Sequence, residues 1–467
     1  MLGTTTVSLN NSTINPAIPV FIEHFDLSPV LATWIMAAFM ASMSITMPLT
    51  NYLSQKLGRK CLYLTAIGIF FIGSVVGAWA ESIETILTAR TIQGVASGLM
   101  IPLSLALIYS VYPKSKRGRI TGVWGAAVML SPAVGPLIGG LIIETFSWPA
   151  LFLINLPFAF AALIIGVVVL PKSEEAKCLP FDSIGYLLIA FGMAILLFAT
   201  GQIRSLEDVQ QVDNILLIGT GIILLAGFVI WSLKHPYPLL NLRLFKITGY
   251  RYSTIIAVAQ AIGMFETLLL LPLMVQIVLG FSPIITGLLL LTTAVCASTM
   301  GHVAGKKLDK NGPQRVVAIG LLICGSATIG LGLIQVNSPL WLLFLLTALR
   351  GAGVGLSYIP VTTAGINTLP ETMVTQGAVM NNISRRLCSS LMLVLGAVWL
   401  ELNLSENSLN VTEQYASAIS DLFILTGSLI LATLPLAIRF PKSSDINQLT
   451  SLSLNNPLIP CKEENNQ

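Results

Sequence analysis

Apolar runs of about 20 residues follow one another along almost the whole chain, joined by short connectors that carry the charge. The loop Lys114-Ser115-Lys116-Arg117-Gly118-Arg119, flanked by such runs on both sides, is the plainest case. A hydrocarbon core roughly 30 Å thick takes about 20 residues per helical crossing, and lipid offers no hydrogen bonds to an open backbone. The 467 residues therefore read as an all-α integral membrane protein. Its crossings number about fourteen, near 1–22, 30–52, 61–80, 84–112, 120–144, 150–170, 184–201, 214–233, 252–279, 284–305, 316–335, 338–364, 375–400 and 414–440. Almost nothing is left for a soluble domain. Composition agrees, since 54% of residues are hydrophobic, 10% are charged and mean hydropathy is +0.83, far above soluble proteins.

Cytoplasmic loops retain Lys and Arg, which sets the orientation. Lys56, Arg59 and Lys60, the loop 114–119, Lys172 and Lys177, Lys234 to Arg251, Lys306 to Arg315, and Arg439 with Lys442 all fall on one side; the opposite connectors hold Arg204 and little else. An even number of crossings then puts both termini in the cytoplasm. The net charge of +4 reflects this loop bias and gives no reason to expect a nucleic-acid partner. Cys61, Cys178, Cys296, Cys324, Cys388 and Cys461 stand singly, and His24, His235 and His302 lack a second ligand nearby. Neither a disulfide framework, a metal site nor a cofactor is expected. Residues 1–22 lack the basic start of a signal sequence and crowd Thr4, Thr5, Thr6, Ser8, Asn10 and Asn11 together. They read as a first crossing that begins abruptly, as a recorded start downstream of the real one would leave it.

Two stretches echo each other about 250 residues apart. Leu53-Ser54-Gln55-Lys56-Leu57-Gly58-Arg59-Lys60 resembles Leu308-Asp309-Lys310-Asn311-Gly312-Pro313-Gln314-Arg315, and Arg90-Thr91-Ile92-Gln93-Gly94 resembles Arg350-Gly351-Ala352-Gly353-Val354-Gly355. The expected organisation is a six-helix half over 1–170, an inserted two-helix segment over 171–251, a second six-helix half over 252–440 and a cytoplasmic tail over 441–467. Parallel repeats around a shared midplane cavity are a transporter architecture, although a duplicated scaffold without a cavity would give the same echo.

Specific strings along the chain carry a family resemblance. The loop Asn51 to Lys60 is similar to the pattern GxLaDRxGRK, with Gly58 suited to a tight turn and Arg59 and Lys60 to headgroup anchoring. Arg90, Gln93 and Gly94 match RxxqG. Gly135-Pro136-Leu137-Ile138-Gly139-Gly140 reproduces GPxxGG, with Gly122 and Gly125 upstream, and Pro136 there predicts a kink. Trp148 to Pro157, Phe181-Asp182-Ser183-Ile184-Gly185, Leu271 to Gln276, Gly280-Phe281-Ser282-Pro283 and Asn382-Ile383-Ser384-Arg385-Arg386 extend the match. The chain resembles the major facilitator superfamily, in its fourteen-helix drug:proton antiporter branch, the EmrB/QacA subfamily. The resemblance implies two six-helix halves plus two inserted helices, a small-molecule substrate and protons as co-substrate. It also implies a multi-pass location in the bacterial cytoplasmic membrane and, in a Gram-negative cell, a periplasmic adaptor and outer-membrane channel. In the family the GPxxGG string marks exporters that exchange substrate for protons, and the arginine of RxxqG is linked to proton coupling.

The departures from the family concern charge. Its first helix usually reads LDxTIVNVALP, with an aspartate as candidate proton carrier; here the string is Leu9-Asn10-Asn11-Ser12-Thr13-Ile14-Asn15-Pro16-Ala17-Ile18-Pro19. An amide takes up no proton near neutral pH, so Asn10 can bind a polar group but cannot couple. A second expected acid is also an amide, Asn241. The acidic position of the loop motif, which helps latch the two halves, is Gln55, while Asp309 keeps the acid in the second copy. Glu266, about fourteen residues into the ninth crossing, is then the best-placed carboxyl for proton work; the alternative is a structural acid, protonated or paired with Arg90, Arg350 or Arg385. An embedded arginine costs at least ~2.5–3.5 kcal/mol on insertion scales, so Arg90 must face a cavity or partner or else snorkel outward. Candidates for the substrate cavity are Asn10, Asn15, Met40, Gln93, Trp124, Phe265, Arg350 and Arg385. Methionines (Met36, Met40, Met129, Met264) and aromatic rings suit a large apolar or amphipathic molecule, organic cations among them.

The expected function is proton-coupled efflux of drug-like or amphipathic compounds by alternating access, and not an enzymatic activity. The rivals are an uncoupled or single-metabolite exporter, which Asn10, Gln55 and Asn241 would permit, and a non-transporting sensor or scaffold on a degenerate transporter fold. Nothing fits GxxxxGK[ST], so ATP-driven transport by this chain alone is not expected.

Overall fold

The computed structural model describes residues 2–111, 134–170, 181–203, 208, 210–236, 238–311, 313–335, 338–370, 373–404 and 411–440. Among the described residues the regular structure is helical. In chain order the helices are α1 (Leu2–Thr13), α2 (Ile18–Phe25), α3 (Pro29–Thr46), α4 (Leu49–Leu57), α5 (Arg59–Ala78) and α6 (Ile83–Val111). Next come α7 (Val134–Thr145), α8 (Ala150–Leu153), α9 (Asn155–Val169), α10 (Ser183–Gly201), α11 (Val212–Lys234) and α12 (Thr248–Leu273). The last are α13 (Pro283–Asn311), α14 (Pro313–Gly332), α15 (Leu340–Ile366), α16 (Val374–Asn403), α17 (Val411–Ala432) and α18 (Leu434–Ile438). Twelve stretches of the described residues are long and apolar enough to cross a membrane, so this is a multi-pass membrane protein.

Those twelve coincide with twelve of the expected crossings; the remaining two are the first and the fifth. The first is broken by a 3-10 turn at Asn15–Ala17, where Pro16 lacks the N–H that a continuous helix would use. Its leading piece, α1, is too polar to face lipid and does not need to. Thr4, Thr6, Asn10, Ser12 and Thr13 are buried inside the bundle, and hydroxyls turn back on the helix's own carbonyls, Thr6 on Leu2 O at 3.0 Å and Ser12 on Leu9 O at 3.0 Å. The fifth crossing is represented by α7. Trp124, Met129, Gly122, Gly125 and the loop 114–119 lie outside the described residues, as do the tail from 441 and the side chains of Gln55 and Asp309. The kink expected at Pro136 adjoins that same undescribed stretch.

Local chemistry sets several helix ends. Ser28 accepts from Leu31 N at 3.4 Å and Pro29 opens α3. Gly58 takes φ +82° between α4 and α5, which only glycine adopts freely. Lys60 donates from Nζ to Val167 O at 2.8 Å and Leu170 O at 2.7 Å, closing the carbonyl end of α9; unpaired C-terminal carbonyls attract a nearby cation. Asp182 caps α10 through Gly185 N at 2.8 Å and also accepts from Trp231 Nε1 at 2.9 Å and Leu239 N at 3.0 Å. One carboxylate thereby ties α10, α11 and the segment after them together.

Packing follows chain order. α6 is covered by α3 and α5, and α15 by α13 and α14, while α10 lies on α11. Contacts also run between helices before and after the α10–α11 pair: α3 packs on α16, and α2 and the 3-10 turn pack on α12. Gln276 Nε2 donates to Pro16 O at 2.9 Å across this seam. Large apolar side chains stay exposed on α11, Leu216 and Ile223 among them, the pattern of a lipid-facing helix.

Candidate functional site

Arg90 is completely buried, and its guanidinium is bound rather than snorkelled. Nε donates to Ile35 O of α3 at 3.0 Å, and Nη1 donates to Asn10 Oδ1 of α1 at 2.5 Å and Gln93 Oε1 at 3.0 Å. Its face lies 4.3 Å from the centroid of the Phe39 ring. Gln93 Nε2 passes the chain on to Ser74 Oγ of α5 at 3.0 Å. Four helices thus meet through Arg90 and Gln93. Glycines allow the approach, because a Cβ on Gly94 would lie 2.5 Å from Phe39 O. Arg350, the second-half echo, is also buried and donates from Nη2 to Gly263 O of α12 at 2.7 Å.

Between these groups lies a cavity of about 430 Å³ walled by α1, α3, α6, α12, α15 and α16, within the size range of small-molecule sites. From α1 come Ser8, Asn11 and Ser12, from the 3-10 turn Asn15, from α15 Tyr358, and from α16 Asn382, Arg385 and Arg386. Phe39, Met43 and Ile101 form one apolar wall, and Met264, Phe265 and Leu268 the other. Arg385 Nε donates to Asn381 O at 3.4 Å with its guanidinium 4.9 Å from the Tyr358 ring centroid, and Arg386 Nε donates to Asn382 Oδ1 at 3.0 Å.

Of the residues singled out from sequence, Asn15, Met264, Phe265 and Arg385 line this cavity. Asn10, Gln93 and Arg350 do not; their side chains are committed to the buried arginine contacts or, for Arg350, to Gly263. Met40 is buried in the core while Met43, three residues on, reaches the wall. Trp124 is outside the described residues. Sequence reasoning missed Ser8, Tyr358 and Asn382 as lining residues. It also missed Arg386, although the i, i+3, i+4 spacing of 382, 385 and 386 marks one helix face.

Glu266 sits apart from the cavity. It is 3% exposed, its Oε2 has no hydrogen-bond partner, and both carboxyl oxygens point at Gly396 of α16, whose absent Cβ would lie 2.8 Å from each. A glycine at 396 is what leaves room for the acid. Gly139 and Gly140 occupy a different seam: a Cβ on Gly139 would run into the backbone of Thr13 in α1, and one on Gly140 would lie 2.7 Å from Pro283 O of α13. Facing it, a Cβ on Gly287 would lie 2.6 Å from Pro136 O. Among the described residues no group of three His, Cys, Asp or Glu could hold a metal ion.

Residues 1–393 match the sequence pattern of the Major Facilitator Superfamily. An MFS-type transporter of Bacillus subtilis (strain 168), YhcA, is 30% identical over 393 residues, 84% of this chain and 73% of the relative. The multidrug resistance protein B homolog of Mycobacterium tuberculosis (strain ATCC 25618 / H37Rv) is 26% identical over 415 residues, 88% of this chain and 77% of its own. In shape the chain is similar to a D-xylose-proton symporter crystal structure, with a TM-score of 0.67, 16% identity and coverage of 95% of this chain and 97% of that one.

Proposed function

The chain belongs to the Major Facilitator Superfamily and is a transporter, and from that premise we propose that it exports drug-like or amphipathic small molecules in exchange for protons. The observation that carries the substrate half is the cavity, with apolar walls on both sides and, among the described residues, polar groups from α1, the 3-10 turn, α15 and α16; the multidrug-resistance relative supports the same reading. Residues 1–170 and 252–440 act as two halves that rock about the seam where α7 meets α13, with 171–251 as an insert. Arg90 and Gln93 together tie α1, α3, α5 and α6 into one body. Glu266 is the proton carrier: an embedded carboxyl whose Oε2 has no hydrogen-bond partner is costly in its charged form, and such groups mark proton pathways.

Reconstituted inverted vesicles test this directly. Amphipathic fluorescent substrates should accumulate when a pH gradient is imposed and stop when an uncoupler collapses it. Flux that ignores the gradient would instead establish the uncoupled exporter, a reading favoured by one observation: Asn10, where the family keeps an aspartate, is an amide held by Arg90.

A separate result is expected for Asn10→Asp. It places a carboxylate where Arg90 Nη1 already donates, so export persists but its pH profile changes, because the pair adds a second proton-dependent contact. Flux measured across a pH series reports this; a profile superimposable on the parent's would remove position 10 from coupling.

A further inference from the structure

The charge in the cavity is one-sided. Arg385 and Arg386 line it, and among the described residues no Asp or Glu does. The other described acids of the two halves stand away from that lining. Residues 1–170 contain only Glu23, Asp26, Glu81, Glu84 and Glu144 as acids, all beside connectors, and 112–133 contains none. Among the described acids of the second half, Glu266 is turned to Gly396, Glu413 and Asp421 are exposed, and Glu401 lies fifteen residues beyond Arg386 on α16, roughly 22 Å along the helix.

Two groups in the wall are also left without partners. Asn15 is 0% exposed with neither Oδ1 nor Nδ2 hydrogen-bonded, and Arg386 Nη1 is buried and unpaired. Buried polar groups without partners are costly, and adjacent guanidinium groups without a counter-ion more so. We infer that the cavity takes an organic anion, its carboxylate, sulfonate or phosphate held by Arg385, Arg386 and Asn15 and its apolar body lying between Phe39, Met43, Met264 and Phe265. The guanidinium fork matches an oxyanion in two parallel hydrogen bonds, and Tyr358 holds Arg385 in place by its ring face. Organic cations, which the methionines and aromatic rings alone would admit, meet like charge here instead. This rests on the export reading only for the direction of movement; the sign of the bound charge stands by itself.

The test uses two dyes of one xanthene frame, anionic carboxyfluorescein and cationic rhodamine 6G, titrated into the purified full chain in lipid nanodiscs. Carboxyfluorescein should bind at least about tenfold tighter. Arg385→Gln and Arg386→Gln should each weaken it by about tenfold, the size of a lost charge-assisted pair, with thermal unfolding unchanged, and Arg386→Lys should recover part of the loss. Equal or tighter binding of rhodamine 6G, binding of neither dye, or carboxyfluorescein binding indifferent to both glutamine variants would each overturn the anion assignment. Arginine-dependent binding of carboxyfluorescein with no accumulation in inverted vesicles would uphold the assignment and overturn export.

Discussion

Glu266→Gln abolishes accumulation driven by a pH gradient, by at least about 100-fold, the scale of losing a positioned proton-transfer group, while ligand binding stays within about twofold because the cavity wall is untouched. The argument is geometric. Glu266 neighbours Phe265, which lines the cavity, yet its carboxyl is directed away, at Gly396 of α16. Glutamine keeps the volume and a hydrogen-bonding oxygen and loses the exchangeable proton. It therefore fits against the glycine and fails only at coupling. Vesicle uptake with and without the gradient, beside dye binding, separates the two effects. Undiminished gradient-driven uptake by the glutamine variant would exclude Glu266 as carrier, and loss of binding together with uptake would mark it as a structural acid.

How much of this could be read in the chain depends on which physics wrote it. Crossings were legible because every backbone group in lipid needs an internal partner, which forces long uniform apolar helices; the first was legible only in part, since α1 is shielded by protein and carries threonines and asparagines that a lipid-facing helix could not. Arg90 was legible as a residue needing company. Its company was not, because Asn10 and Ile35 are distant in sequence and no local pattern names them. The depth of Glu266 could be counted along its helix, but its direction could not: in a bundle surrounded by lipid nearly every helix face is apolar, so no polar face points outward to orient the rest. Ala261, Met264, Phe265 and Leu268, all in the wall, do recur at i, i+3, i+4 and i+7, and that spacing held the information. Gly396 left no signal of its own. The general rule for basic loops places Lys60 at the headgroups, but no local pattern names the carbonyls of Val167 and Leu170 at the end of α9 that its ammonium also meets.

Gly139→Leu and Gly140→Leu each reduce transport to background with membrane insertion intact. Hydropathy rises in both, so insertion has no reason to fail; what fails is approach. At Gly139 any side chain enters the backbone of Thr13, beside the broken turn of the first crossing, and at Gly140 it lies against Pro283 and Ile284 of α13. Overpacking of this kind costs about 1–3 kcal/mol even where neighbours can shift, and here they are backbone atoms, which cannot rotate aside. The two variants differ in what they separate. Leucine at 139 parts α7 from α1 on the same side of the inserted pair, whereas leucine at 140 parts α7 from α13 across it, at the mutual glycine contact that Gly287 completes against Pro136. The second should therefore leave the arrangement described here unpopulated while sparing dye binding less than the first spares stability. Gly219→Leu on α11, where nothing lies within 4 Å, is the matched control and should transport normally. Normal flux from the 139 and 140 variants at normal abundance would reduce the Gly135–Gly140 string to incidental packing.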